Sequence, residues 1–545
     1  MKSGEIGLDS GAGATESMLQ SAALDMSRAV KFSGVLLTLL LSVQLFAAEH
    51  KSVQKQIGEL LAEPDAARAS WGIEFVDLNT GKTLYSLNAD KLFTPASNAK
   101  LFTTAAALAL IGPDYRFRTT IESAGNVDRY GRLSGDLVMV GRGDPNLSGR
   151  TLPYYLRTER VMPPVRVLEE LADQLVARGI KVIDGDVVAD DSYFVFERYG
   201  EGWSQDDLLW EWGAPVSALT VNDNVLFVSV LPAEHISERA YVNITPFADY
   251  YHIENRVTTV PAGAERRILI NREPGSNRLT IWGSIPLGDP GATEALAIED
   301  PAEFAAKLMR GLLEKRGIAV YGTTRAQHAE LSSLYTFRVT ATASSGGGSE
   351  RLAPPPANFR NVLASYQSGP IVQDIKVINK VSQNLHAEML LRLLGRERGS
   401  GGTVAGGLEV VRRWLLQADI RPEEYSLHDG SGLSREDLAT PHAIVKLLSY
   451  VSRQPWGEVY ADTLPVGGID GSLIYRFSDP AVVGRVQGKT GSLTHVNAIS
   501  GYILTQKGDR VAYSIMVNNH LLGLHKALET MDTIVELFVE GQPTR

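Results

Sequence analysis

The texture of this chain changes twice along its length, and those changes limit the folds open to it. Near the start, Trp71–Asp77 and Lys82–Asn88 flank Asn79-Thr80-Gly81, the pattern of a β-hairpin. Thr94-Pro95-Ala96 then opens a helical run from Ser97 to Ile111, stopped by Gly112. From about residue 115 to 340 the pattern becomes short strand-like pieces between Gly, Pro, Asn and Asp, such as Leu137-Val138-Met139-Val140 and Leu226-Phe227-Val228-Ser229-Val230. One helix, Pro164–Arg178, stands within it, with apolar Val165, Leu168, Leu171, Leu175 and Val176 at helical spacing. A Gly/Ser/Pro tract near 345–356 reads as a linker or loop. Helical texture returns at Asn384–Leu394 and Val404–Gln417. The tail reads as strands Gly501–Leu504 and Val511–Val517 about Lys507-Gly508-Asp509, then a helix Leu524–Val539. No internal repeat is visible. The simplest arrangement is one helix-and-strand domain built from both ends of the chain, with a strand-rich segment inserted between its parts.

Composition removes several classes of function. At 545 residues with 44% apolar and 21% charged side chains, the chain can bury real cores. The net charge of −10 argues against a nucleic-acid binder living on phosphate contacts. Cysteine is absent, which excludes disulfides, a cysteine nucleophile, thiolate zinc and iron–sulfur clusters. Basic Arg28 and Lys31, an apolar run from Val35 to Phe46, and then Ala47-Ala48 have the layout of a signal peptide. That run is shorter than the roughly 20 residues a membrane span needs. The expectation is export to the periplasm, with Met26 as the true start and residues 1–25 a mis-assigned extension; the chain is then soluble after cleavage or loosely membrane-associated, with an uncleaved anchor as the alternative.

Three short stretches carry chemistry. In Ser97-Asn98-Ala99-Lys100, positions i and i+3 share a helix face, so the Ser97 hydroxyl and the Lys100 amine can meet. A serine hydroxyl attacks only when a base removes its proton. Lysine is such a base only if burial or neighbouring cations lower its pKa. Ser382-Gln383-Asn384 supplies a hydroxyl and an amide at a helix start. Gly488-Lys489-Thr490-Gly491-Ser492 invites a P-loop reading, but Val483 stands where the first glycine belongs, and the residues after it, Val496–Ile503, are strand-like. On a strand edge it offers an ammonium, a hydroxyl and open backbone instead. Each stretch alone is equally an ordinary cap, turn or solvated lysine. His428-Asp429 leaves a Ser/His/Asp arrangement open. The chain has no Gly-x-Ser-x-Gly, no His-Glu-x-x-His and no metal-ligand spacing among its ten histidines.

Taken in order, Ser-x-x-Lys, Ser-x-Asn and Lys-Thr-Gly form the motif set of penicillin-binding proteins and serine β-lactamases. The chain closely resembles the class C, low-molecular-mass penicillin-binding proteins with D-alanyl-D-alanine carboxypeptidase and endopeptidase activity. The likeness runs from about residue 55 to 540. It includes Phe93–Lys100, Gly141-Arg142-Gly143-Asp144-Pro145-Asn146-Leu147, Gly213–Leu219, Asn379–Leu385, Asp429–Arg435, Leu464–Gly468 and Gly488–Leu493. The 281 residues between Lys100 and Ser382 match that subgroup's long insertion and argue against a β-lactamase of ordinary size. Gln383, Ser492 and the stretch Thr151–Pro164 depart from the common pattern without removing a needed group.

The resemblance implies an α/β (α+β) transpeptidase-like core, an antiparallel sheet flanked by helices, carrying two strand-rich inserted domains. The expected boundaries are 1–48 for extension and leader, 49–115 and 355–545 for the catalytic domain, 116–150 and 220–354 for one insertion, and 151–219 for the other. It implies Ser97 as nucleophile, Lys100 as base, Ser382 as proton relay, Asn384 as holder of the substrate amide and of Lys100, and Lys489 as source of the local field. Lys489 and Thr490 would hold the substrate carboxylate, Gly491 would let the substrate approach closely, and the Ser97 and Ser492 N–H groups would form the oxyanion hole. Asp144 and Arg435 would read the zwitterionic end of a diaminopimelic acid side chain. Peptidoglycan stem peptides are the implied substrate and β-lactams the implied covalent inhibitors. The resemblance implies no metal, cofactor, nucleotide or nucleic acid, and a homo-oligomer stays open. The rival readings are a non-catalytic wall-binding protein on the same scaffold and a β-lactam hydrolase.

Overall fold

Both ends of the chain meet in one antiparallel sheet. Its five strands run in the order Thr83–Leu87, Ser70–Asp77, Arg510–Asn518, Val496–Leu504 and Val486–Leu493. This computed structural model describes residues 52–151, 154, 160–330 and 360–540. The leader expected at 26–48 and the tract at 345–356 lie outside the described residues, as does most of 152–159. Among the described residues, those up to Gly58 form a unit of their own and those from Glu59 onward form the larger unit, which holds the sheets and both cores. Among the described residues no helix is long and apolar enough to cross a membrane.

Helices Lys100–Leu110, Ile371–Lys380, Asn384–Arg398, Val404–Gln417 and Pro441–Ser452 share a core with this sheet, through Phe102, Leu390, Trp414, Leu448, Tyr502 and Met516. Local signals set several of their ends. The Thr403 hydroxyl accepts from Gly406 N at 2.9 Å, and Thr440 accepts from Ala443 N at 2.9 Å with Pro441 following.

The middle of the chain builds a second core around Ile121, Met139, Leu171, Val228, Ile281 and Phe304. Its largest sheet orders Thr324–Ala329, Val187–Val195, Leu137–Val140, Arg118–Ser123 and Asn361–Gln367. The first three strands are parallel, and the outer pair joins antiparallel. Helices Arg166–Ala177 and Pro301–Lys315 bury apolar stripes in the same core. Three three-stranded sheets add to it: Tyr241–Thr245, Val225–Leu231 and Ala292–Ala297; His252–Val260, Arg278–Pro286 and Arg267–Asn271; and Ala319–Val320, Val182–Ile183 and Arg132–Leu133. Strand pairing draws its lines elsewhere than the sequence boundaries. Val187–Val195, expected within a separate 151–219 domain, pairs with strands from 137–140 and 324–329, and Asn361–Gln367 pairs with Arg118–Ser123.

One turn between the two cores has unusual backbone. Asn222, Asp223 and Asn224 have φ of 51°, 57° and 54°, three consecutive non-glycine residues in the left-handed region, all buried. Such residues typically cost about 1–3 kcal/mol each and persist only where their surroundings hold them. Here Asn222 Nδ2 donates to Val225 O at 2.9 Å and Asn224 Nδ2 to Pro215 O at 2.8 Å.

Candidate active site

Ser97 lies in a 3-10 turn, Ala96–Ala99, that runs directly into helix Lys100–Leu110. The expected α-helix over Ser97 is therefore a tighter turn, but positions i and i+3 align in a 3-10 turn as well. Lys100 Nζ stands 2.8 Å from Ser97 Oγ. It also lies 2.6 Å from Asn384 Oδ1 and 2.5 Å from the Ser431 carbonyl. A neutral amine has two N–H donors and one lone pair, and this cage matches it: two carbonyl acceptors, and one hydroxyl able to donate its proton. Lys100 is fully buried, and burial lowers its pKa to about 7 against the pull of the Asp429, Glu388 and Asp437 carboxylates.

The other two motifs close the site. Lys489 Nζ donates to Ser382 Oγ at 2.8 Å and to the Thr490 carbonyl at 2.7 Å. Burial, and then the Lys100 charge, hold its pKa well below that of ordinary lysine. Ser382 has φ of 62°, a strained conformation for serine, immediately before helix Asn384–Arg398. Asn384 Nδ2 donates to the Trp212 carbonyl at 2.8 Å, so a loop of the inserted region touches the second motif. Thr490 donates to Ser472 Oγ at 2.8 Å, and the Ser492 hydroxyl accepts from Asn497 Nδ2 at 2.9 Å. Gly491 has a packing reason: a Cβ there would lie 2.7 Å from Pro95 O and 3.1 Å from Ser97 N. The Lys-Thr-Gly strand thus runs against the backbone of the Ser97 turn.

Several supporting residues carry no local sequence signal. The Asp429 carboxylate accepts from Ser431 N at 3.0 Å, Gly432 N at 2.6 Å and Ser434 N at 2.7 Å, folding the loop that presents the Ser431 carbonyl to Lys100. Trp203 Nε1 also donates to it at 2.9 Å. Beneath that loop, Glu388 accepts from Gly430 N at 2.9 Å and pairs with Arg392 at 3.0 Å, both side chains wholly buried. His428 hydrogen-bonds Glu201 and Ser426, not Ser97, so the Ser/His/Asp alternative is not assembled. His428, Glu201 and Glu436 bring ligand atoms within 4.8 Å of one another, but they share no residue with the Ser97 cluster.

The two residues expected to read a zwitterion are not brought into contact. Asp144 is 1% exposed, and its carboxylate accepts from Asn146 N at 2.9 Å. Burial raises its pKa to about 7, and its second oxygen has no hydrogen-bond partner. In this conformation it does not reach solvent. Arg435 is exposed on the Gly-Leu-Ser loop, with its N–H on Gly202 O at 3.1 Å.

The sequence profile of the D-Ala-D-Ala carboxypeptidase 3 (S13) family matches residues 53–342 and 352–540. The chain belongs to that family. This S13 enzyme is 32% identical over 481 residues to the D-alanyl-D-alanine carboxypeptidase of Actinomadura sp. (strain R39), covering 86% of this chain and 81% of the relative. It is 24% identical over 453 residues to the D-alanyl-D-alanine carboxypeptidase DacB of Haemophilus influenzae, covering 82% and 85%. The crystal structure of penicillin binding protein 4 (dacB) from Haemophilus influenzae superposes with a TM-score of 0.73 at 22% identity, over 89% of this chain and 99% of that one. That likeness shows a shared fold. Family membership, with 32% identity over most of the chain, makes this S13 enzyme a serine-type D-Ala-D-Ala carboxypeptidase of the low-molecular-mass penicillin-binding class.

Proposed function

We propose that Ser97 is the nucleophile with which this carboxypeptidase cleaves the terminal D-Ala-D-Ala bond of peptidoglycan stem peptides. The observation that carries this reading is the cage about Lys100, which suits a neutral amine beside the Ser97 hydroxyl. Lys100 takes the Ser97 proton as Oγ bonds to the carbonyl carbon of the penultimate D-Ala. The resulting oxyanion sits on the Ser97 and Ser492 N–H groups, donors typically worth about 3 kcal/mol each. The C–N bond then breaks, and Ser382, held by Lys489, passes a proton to the departing amine. Lys489 and Thr490 hold the terminal carboxylate, and Asn384 the substrate amide. Water hydrolyses the ester and frees Ser97.

A β-lactam acylates the same serine, but its leaving nitrogen stays tethered and deacylation is slow. The same steps act on a D-Ala cross-link, giving D,D-endopeptidase activity. Arg435, exposed on its loop, is suited to the carboxylate of a zwitterionic side chain, whereas Asp144, which is buried, reaches the ammonium only if its surroundings open. The signal-like segment at 26–48 supports action in the periplasm.

The test is labelling of the purified chain by a fluorescent penicillin beside Ser97→Ala. A stable label on the unmodified chain alone is expected. Labelling of neither protein would overturn the nucleophile and favour a wall-binding role. Rapid loss of label with hydrolysed drug would favour a β-lactam hydrolase.

A further inference from the structure

The second motif is gripped from outside the catalytic core. Gln383, between Ser382 and Asn384, donates from Nε2 to Asp223 Oδ2 at 3.3 Å, its one side-chain hydrogen bond among the described residues. The other oxygen of Asp223 meets His386 Nε2 at 3.1 Å, on the first turn of the same motif helix. Asp374, from helix Ile371–Lys380, holds the opposite ring nitrogen of His386 at 2.6 Å. Arg150 pairs with Asp223, and Arg160 lies 3.7 Å away. Asp223 is itself the middle of the three left-handed residues, and its partner Gln383 adjoins Ser382, also left-handed. Two strained backbones are thus tied by one carboxylate.

We infer that Asp223 is a positioning residue: through Gln383 and His386 it fixes the Ser382 and Asn384 side chains for acylation and so couples the inserted region to catalysis. This rests on the reading of Ser97 as nucleophile. The cluster is charged as the role requires. Burial lowers the His386 pKa, but the Asp374 and Asp223 carboxylates outweigh it and raise it to about 9. Burial would raise the pKa of Asp223, but Arg150 and His386 hold it well below the ordinary range.

The experiment compares Asp223→Asn, Gln383→Leu and the double variant with the unmodified chain. Rates are expressed per penicillin-titrated site, and thermal unfolding is followed in parallel. Gln383→Leu removes the link without touching the buried charges, so it stays informative if Asp223→Asn folds poorly. Expected is a loss in kcat of about tenfold or more for each single variant on a D-Ala-D-Ala peptide, with KM within about threefold. Penicillin acylation slows in step, and the double variant is no worse than the poorer single one. A merely structural role would lower the number of titrated sites but leave kcat per site unchanged, and that result would overturn the inference. Additive losses in the double variant would do the same. Failure of the unmodified chain to label would instead strike the Ser97 reading itself.

Discussion

If Lys100 is the base, the acylation rate must follow the fraction of Lys100 that is neutral. A lysine with its ordinary pKa of 10.5 is neutral in about one molecule in 3,000 at pH 7. With the pKa lowered to about 7, half of the molecules are ready at that pH. Between pH 6 and 8 the neutral fraction rises from roughly a tenth to roughly nine tenths, and the second-order acylation rate rises about tenfold with it. The sign is fixed: acid protonates the base, so the falling limb lies on the acidic side. Lys489 is held low by burial and then by the Lys100 charge, so protonating Lys100 also makes it harder to charge Lys489. Stopped-flow acylation by a chromogenic β-lactam from pH 5.5 to 9.5 measures it. A rate that climbs about a hundredfold from pH 6 to 8 and continues past 9 would refute the lowered pKa. A rate flat below pH 7 would remove lysine as the base. Lys100→Arg keeps the charge but cannot shed the proton, and is expected to cost about a hundredfold or more at every pH.

Other outcomes follow from single contacts. Gly491→Ala places a methyl 2.7 Å from Pro95 O, so backbone must shift, penicillin acylation should fall about tenfold or more and thermal unfolding should move to lower temperature; unchanged acylation and unfolding would show that the strand and the Ser97 turn yield freely. Arg435→Ala should leave penicillin acylation within about twofold while lowering kcat/KM for a stem peptide with a free side-chain carboxylate; equal loss on a peptide lacking that carboxylate would remove Arg435 as its reader. Arg392→Met strands the wholly buried Glu388, and urea unfolding should show a loss of about 3–5 kcal/mol; a change below about 1 kcal/mol would mean the pair is not holding that core.

Much of this was legible where the information is local. Val404–Gln417 and Leu524–Val539 have the ends read from sequence, because their apolar periodicity is unbroken. The Ser97–Lys100 contact was legible although the α-helix expected there is a 3-10 turn, since both geometries bring i and i+3 together. What escaped is non-local. Nothing near Ser431 says that its carbonyl accepts from an amine 331 positions away. The loop does so because Asp429 folds it and Glu388 holds Gly430 from another helix. Strand pairing across the expected domain boundaries was illegible for the same reason: parallel neighbours such as Leu137–Val140 and Val187–Val195 carry no turn signal joining them. Asp144 is expected at a zwitterion-reading site only through the resemblance, and the Asp-Pro sequence around it says nothing of the burial that encloses it.

The strand that carries Lys-Thr-Gly is the last in its sheet, and only part of its outer side is covered. Gly467 N donates to Val486 O at 2.8 Å and Gly488 N to Pro465 O at 3.0 Å, but among the described residues no strand lies beyond Lys489–Leu493. Unpaired backbone of this kind is ordinarily a hazard, a template on which a foreign chain can add. Beside Ser97 the hazard would become the working surface: an extended peptide laid there would be held through its main chain, much as a sixth strand would be. Recognition by backbone is indifferent to most side chains but strict about direction and length. An enzyme built this way can accept a polymer whose peptides vary in composition, and it is open to any compact molecule that imitates the backbone of one.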